Sequence, residues 1–257
     1  MVATFRPETV LGEVEHRPYP APSGPWAIGM SWRDLLFMHW PVEADVLRPL
    51  VPPSLSIDTF DGNAWLGVVP FDMVGVRPHF VPAVPGLSNF PEINLRTYVT
   101  AEDRPGVWFF SLDAHNRLAV RLARATFHLP YFDAEMSCHA LNDEVDYRSI
   151  RTHKGAPPAE FVARYGPAGK PFQSGPGSIE SFLTERYCLY SADGRGNVRR
   201  GEVHHQLWPL QPAEAEVRTL AMTQQIGLEP PETEPILHFS RRLDVLAWLP
   251  RKIGGAV

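Results

Sequence analysis

Glu92, Asn94, Arg96 and Tyr98 place a proton-carrying carboxyl, an amide, an anion-binding guanidinium and a phenol at every second position of one short stretch. Alternate side chains of an extended chain share a face. The spacing therefore gathers the four on one side of a strand, opposite Ile93, Leu95, Thr97 and Val99. Such a set can satisfy its own hydrogen bonds, so the face either meets water or lines a polar interior. In the second case Glu92 offers proton transfer and Arg96 a seat for a carboxylate.

Four further residues are candidates. From Tyr131 the chain alternates Tyr131, Asp133, Glu135, Ser137 and His139 with Phe132, Ala134, Met136, Cys138 and Ala140, and the Tyr131 hydroxyl is a hydrogen-bond donor. Asp113 ends an apolar strand, where a carboxyl either caps a loop or takes a raised pKa suited to proton shuttling. His39, within Leu36-Phe37-Met38-His39-Trp40, reads either as a buried imidazole bonded to a backbone carbonyl or as an acid/base group. Arg33 precedes Asp34-Leu35-Leu36 and is a second candidate anion partner.

What is missing narrows the chemistry. Only Lys154, Lys170 and Lys252 could supply a neutral amine, because arginine stays protonated. No GxSxG, HExxH, P-loop or GxGxxG motif occurs, which excludes the common routes of serine hydrolysis, phosphoryl transfer and Rossmann hydride transfer. The histidines form no HxH pair, and adjacent His204 and His205 face opposite ways on a strand. Cys138 and Cys188 make no CxxC motif. No metal and no cofactor are expected. A net charge of -5 provides no field for nucleic acid. No apolar run reaches the roughly 18 residues of a membrane span, and the reading is cytoplasmic.

The elements that must position these residues are strands. The 27 prolines cluster at Pro18–Pro25, Pro49–Pro53, Pro78–Pro91 and Pro230–Pro235, dividing the chain into short segments. Alternation predicts strands over Ala64–Val76, Glu92–Val99, Val107–Asp113, Tyr131–Leu141, Glu144–Ile150, Glu160–Tyr165, Arg186–Tyr190, Glu202–Trp208 and Ile236–Trp248. Helical spacing predicts a short helix at Glu43–Leu50 and an amphipathic covering helix at Asn116–Phe127. In the latter, Leu118, Leu122 and Ala125 form the apolar stripe. Asp61-Gly62 supplies turn chemistry for a hairpin. The expectation is one domain over 1–257, irregular at about 1–26, built as a barrel or sandwich around a pocket.

Several ordered motifs carry a resemblance. Leu36-Phe37-Met38-His39-Trp40-Pro41-Val42, Leu47-Arg48-Pro49-Leu50-Val51-Pro52, Asp58-Thr59-Phe60-Asp61-Gly62, Asn94-Leu95-Arg96-Thr97-Tyr98-Val99 and Gly106-Val107-Trp108-Phe109-Phe110-Ser111-Leu112-Asp113-Ala114 resemble the YqjF-like family, domain of unknown function 2071. The match covers roughly Met30 to Met136, with a weaker one at Gly201 to Pro212. That family resembles the acetoacetate-decarboxylase-like superfamily. The resemblance implies a mostly β (α+β) fold: a curved, partly closed antiparallel β barrel with a few short covering helices and a small-molecule pocket.

In the decarboxylases a lysine follows a proline after the covering helix, and a second lysine lowers its pKa for Schiff-base formation. The corresponding segment here is Leu129-Pro130-Tyr131-Phe132, which lacks both. The resemblance also matches Glu92 to a pocket glutamate and Arg33 to an arginine near the substrate carboxylate, with Arg96 the alternative by strand parity. The functional expectation is a pocket for a small oxo acid or carboxylate-bearing metabolite. It would serve a lyase-type enzyme using Glu92 and Tyr131 in non-covalent acid/base chemistry. Arg33, His39, Asn94, Arg96, Tyr98 and Asp113 would surround the ligand. The alternative is a non-catalytic binding or sensor protein that keeps the pocket. The partner in either case is a small molecule, and a homo-oligomer is left open.

Overall fold

Residues 28–42, apolar at most positions, become strand β1 (Ile28–Val42) of the computed structural model, which describes residues 5–254. Both sides of β1 are buried. Leu35 and Phe37 pack into one hydrophobic cluster while Leu36, Met38 and Trp40 pack into another. A strand enclosed on both sides has no need of polar alternation, which is why the period-two pattern misses it.

The remaining strands are β2 (Ser56–Ile57), β3 (Ala64–Pro78), β4 (Phe90–Ala101), β5 (Arg104–Ala114), β6 (Tyr131–Leu141), β7 (Glu144–Arg151), β8 (Glu160–Pro167), β9 (Cys188–Ala192), β10 (Val198–His205), β11 (Gln211–Leu220), β12 (Ile236–Ala247) and β13 (Arg251–Lys252). Each predicted strand is present, with ends shifted by up to four residues. β2, β11 and β13 are additional. β11 is rich in alanine and glutamate, residues with weak strand preference.

The strands form a ring-like sheet. β4 pairs with β5, and the path β5-β6-β7-β8-β11-β12-β1-β3-β4 returns to the start. β9 and β10 make a second connection from β5 to β12. Pairing is antiparallel except where β5 meets β6 and β9, which are parallel. The sheet is otherwise antiparallel, as expected. Helix α3 carries the chain back between β5 and β6, as a parallel connection requires. The β4–β5 and β6–β7 hairpins turn on Glu102-Asp103 and Asn142-Asp143, all in the left-handed region. Asp61 and Gly62 also have positive φ, as their sequence suggested.

The helices are short: α1 (Pro7–Leu11), α2 (Ala44–Leu47), α3 (Arg117–Phe127) and α4 (Ile179–Thr184). α2 runs into a 3-10 turn at Arg48–Leu50, together filling the first predicted helical span. Asn116 caps α3 by accepting the amides of Leu118 and Ala119. The face that α3 buries differs from the expected one. Val120 and Phe127 are buried, whereas Leu118 and Leu122 are 53% and 56% exposed.

The ring is tight at Gly106, where β5 runs beside β9. A Cβ there would lie 2.6 Å from Cys188 Sγ and 2.7 Å from the Cys188 carbonyl. Gly106→Ala is expected to destabilise by about 3 kcal/mol, the upper range for overpacking. An unchanged denaturation midpoint would show that the two strands can separate at no cost.

Candidate functional site

The register around β5 assembles the site. Leu112 lies beside Asn94 of β4 on one edge and Tyr131 of β6 on the other. Tyr131 thereby reaches Glu92, and its hydroxyl donates to Glu92 Oε2 at 2.8 Å. Strand parity turns Glu92, Asn94 and Arg96 together into a cavity of about 440 Å³. Its walls are mainly apolar, including Met30, Trp32, Phe37, Phe71, Phe109 and Trp208. The expected polar interior is thus a polar row on an apolar wall.

Glu92 is 2% exposed, and burial pushes its pKa up to about 8 against the lowering effect of the Tyr131 hydrogen bond. The carboxyl is neutral at pH 7. With Tyr131 donating to Oε2, its proton sits on Oε1. The folded protein then holds a proton that the unfolded chain releases near its ordinary value of 4.5. Wild-type stability should therefore fall as pH rises from about 4.5 through 8. Glu92→Gln remains neutral and should lack this loss. Its advantage over wild type, measured by denaturant unfolding, should approach on the order of 5 kcal/mol above pH 8. Parallel stability curves for the two proteins would contradict a proton on Glu92.

Arg77 of the cavity wall rests over the Phe5 ring at 4.3 Å, and Arg96 is the cavity cation that shares a strand face with Glu92. Its guanidinium lies over Phe37 and Tyr98, 5.3 and 5.6 Å from the ring centres. Its Nη2 makes one long contact to the Leu183 carbonyl at 3.5 Å, and Nε has no partner. Among the described residues no carboxylate forms an ion pair with it. Arg186 lines the same cavity, but Asp58 takes its charge at 2.6 Å. Asn94 Oδ1, Trp32 Nε1 and Trp208 Nε1 are also buried without partners. Buried polar atoms are nearly always paired, so these four cavity-wall residues present bonds for something else to complete.

The other expected residues are placed differently. Tyr98 donates to the Leu183 carbonyl at 2.8 Å and lies 2.6 Å from His39 Nε2, so that nitrogen carries the proton. His39 is bonded to a phenol, not to a backbone carbonyl. Burial holds its pKa well below the ordinary value. Neither residue lines the cavity. Arg33 follows Trp32 and so faces away from the interior, paired in register with Asp72. Asp113 follows Leu112 and likewise turns away, held by Arg151 through contacts of 2.5 and 2.9 Å. These two positions correct the ligand-side placements of Arg33 and Asp113.

Trp32, Arg186, His205 and Trp208 are cavity residues that sequence reasoning missed. Trp32 and Trp208 stack at 5.8 Å. Trp208 sits within the weaker C-terminal motif match at Gly201 to Pro212. Lys154, Lys170 and Lys252 are all exposed and none lines the cavity. No group of metal-ligating side chains occurs among the described residues, and no helix among them is long and apolar enough to cross a membrane.

The ring-like sheet is a fold shared with solved structures of acetoacetate decarboxylase and acetoacetate-decarboxylase-like proteins. The structure is similar to the enduracididine biosynthesis enzyme MppR, with a TM-score of 0.62 and 12% identity covering 89% of this chain and 90% of that one. It is also similar to acetoacetate decarboxylase from Legionella pneumophila, with a TM-score of 0.57 and 12% identity over 99% and 98% of the two chains. At such identity the likeness is one of fold. Within this class the chain belongs to the DUF2071 family of uncharacterized conserved proteins, whose model matches residues 29–244. It is 45% identical over 231 residues to the uncharacterized protein YqjF of Bacillus subtilis strain 168, covering 90% of this chain and 94% of the relative.

Proposed function

We propose that the cavity takes up a small oxo acid or related carboxylate and moves a proton on it without a covalent bond to the protein. The observation that carries this reading is Arg96, a half-buried guanidinium with no carboxylate partner on the same strand face as a protonated Glu92. A ligand carboxylate would complete the charge-assisted pair. Glu92 Oε1 is then the group that gives a proton to a carbonyl oxygen or, once ionised, takes one from the adjacent carbon. Support also comes from MppR, solved structures of which hold pyruvate and a condensation product of pyruvate. Tyr131 and the exposed lysines argue against a Schiff base.

The test uses 2-oxobutanoate in deuterated buffer. Wild type should bind it by calorimetry and speed exchange of the hydrogens next to its carbonyl, increasingly as pH rises through about 8. Glu92→Gln should bind and not exchange. Borohydride should leave the chain mass unchanged. Binding without exchange in wild type would select the non-catalytic alternative, whereas absence of binding or a lysine adduct would refute the proposal.

A further inference from the structure

The apolar lining of the cavity does not stop at the protein surface. Leu118 and Leu122, one turn apart on α3, are cavity-wall residues and yet more than half exposed. Across from them Val81, Val84 and Leu87 of the segment between β3 and β4 are also both wall and surface. An apolar path therefore leads from Arg96 and Asn94 out between α3 and this segment. Exposed apolar side chains grouped around an opening mark a binding surface.

Size points the same way. A cavity of about 440 Å³ has room for about fifteen water-sized groups, and a three-carbon oxo acid fills less than half of it. The buried polar atoms of the cavity lining that lack a partner belong to Asn94, Arg96, Trp32 and Trp208, and Arg77 of β3 is a further cavity-wall cation. One polar head and one apolar body describe the space. Resting on the proposed function for its head group, we infer that the ligand is amphipathic: an oxo acid or carboxylate carrying an alkyl or aryl chain of about five to eight carbons. The chain runs along Phe71, Phe109 and Leu112 and emerges between Leu118 and Leu87.

Straight-chain 2-oxo acids from pyruvate to 2-oxodecanoate, titrated by tryptophan fluorescence and calorimetry, test this. Each buried methylene contributes about 0.8 kcal/mol, so Kd should fall roughly threefold to fourfold per carbon and level off once the chain reaches the mouth. Leu118→Glu combined with Leu122→Glu alters exposed positions and should fold. It should compress the ratio of eight-carbon to four-carbon affinity about tenfold. Length-independent binding, binding of the short acids alone, or an unchanged ratio in the double variant would overturn the inference while leaving the oxo-acid reading intact. Equal binding of matched long-chain alcohols would uphold the apolar path and refute the carboxylate head. No binding by any member would refute both.

Discussion

Arg151→Leu is expected to lower stability by about 3–5 kcal/mol, a loss of roughly 10 °C in Tm for a chain of this size. Arg151 and Asp113 form a two-pronged pair with side chains 1% and 0% exposed. Removing the cation leaves the Asp113 carboxyl without a countercharge in a site that water does not reach. Protonation is then its way out, and burial already pushes its pKa upward. The sign follows from linkage. An acid whose folded pKa is raised contributes its stability at low pH and loses it as pH rises, so the deficit of Arg151→Leu should be smallest in acid. Adding Asp113→Leu should recover most of the loss, since replacing both members of a buried pair by apolar groups is close to neutral. An Arg151→Leu protein as stable as wild type at pH 8 would mean that the pair adds nothing.

The second large effect falls on binding. Arg96→Leu should weaken a 2-oxo acid about tenfold to a hundredfold, the loss of hydrogen bonds to a charged group worth roughly 1.5–3 kcal/mol. Tm should stay level or rise. Arg96 has no acid to stabilise it and only one long hydrogen bond, so the free protein keeps a partly desolvated charge at some expense. A residue whose removal harms binding and spares folding is held for its ligand. A lower Tm with unchanged affinity would instead assign Arg96 to packing against Phe37 and Tyr98.

Parity made the cavity row legible before any coordinates. Glu92, Asn94 and Arg96 alternate in the sequence and share the wall in the fold, because a pleated strand enforces period two. The same rule moved Arg33 and Asp113 away from the ligand: each directly follows a cavity residue, Trp32 and Leu112. Those neighbours were not recognisable as inward-facing, since β1 and β5 are apolar on both sides. The stripe of α3 was visible, but its meaning was not. Leu118 and Leu122 look the same whether they cover a core or rim an opening, and only the register of β5 and β6 decides. Tyr131 emerged from its place after Pro130, yet its bond to Glu92 depends on two strand pairings across β5. Trp208 fell within the Glu202–Trp208 alternation, but β10 ends at His205, so strand parity does not set the direction of its ring.

The most direct test is a crystal structure of the protein soaked with 2-oxohexanoate. The ligand carboxylate should lie within hydrogen-bonding distance of Arg96, with the carbonyl oxygen at Glu92 and the chain directed toward Leu118. An ordered ligand outside the cavity, or one with its carboxylate at the mouth and its chain against Arg96, would contradict the assignment of the Glu92-Asn94-Arg96 row as the binding site.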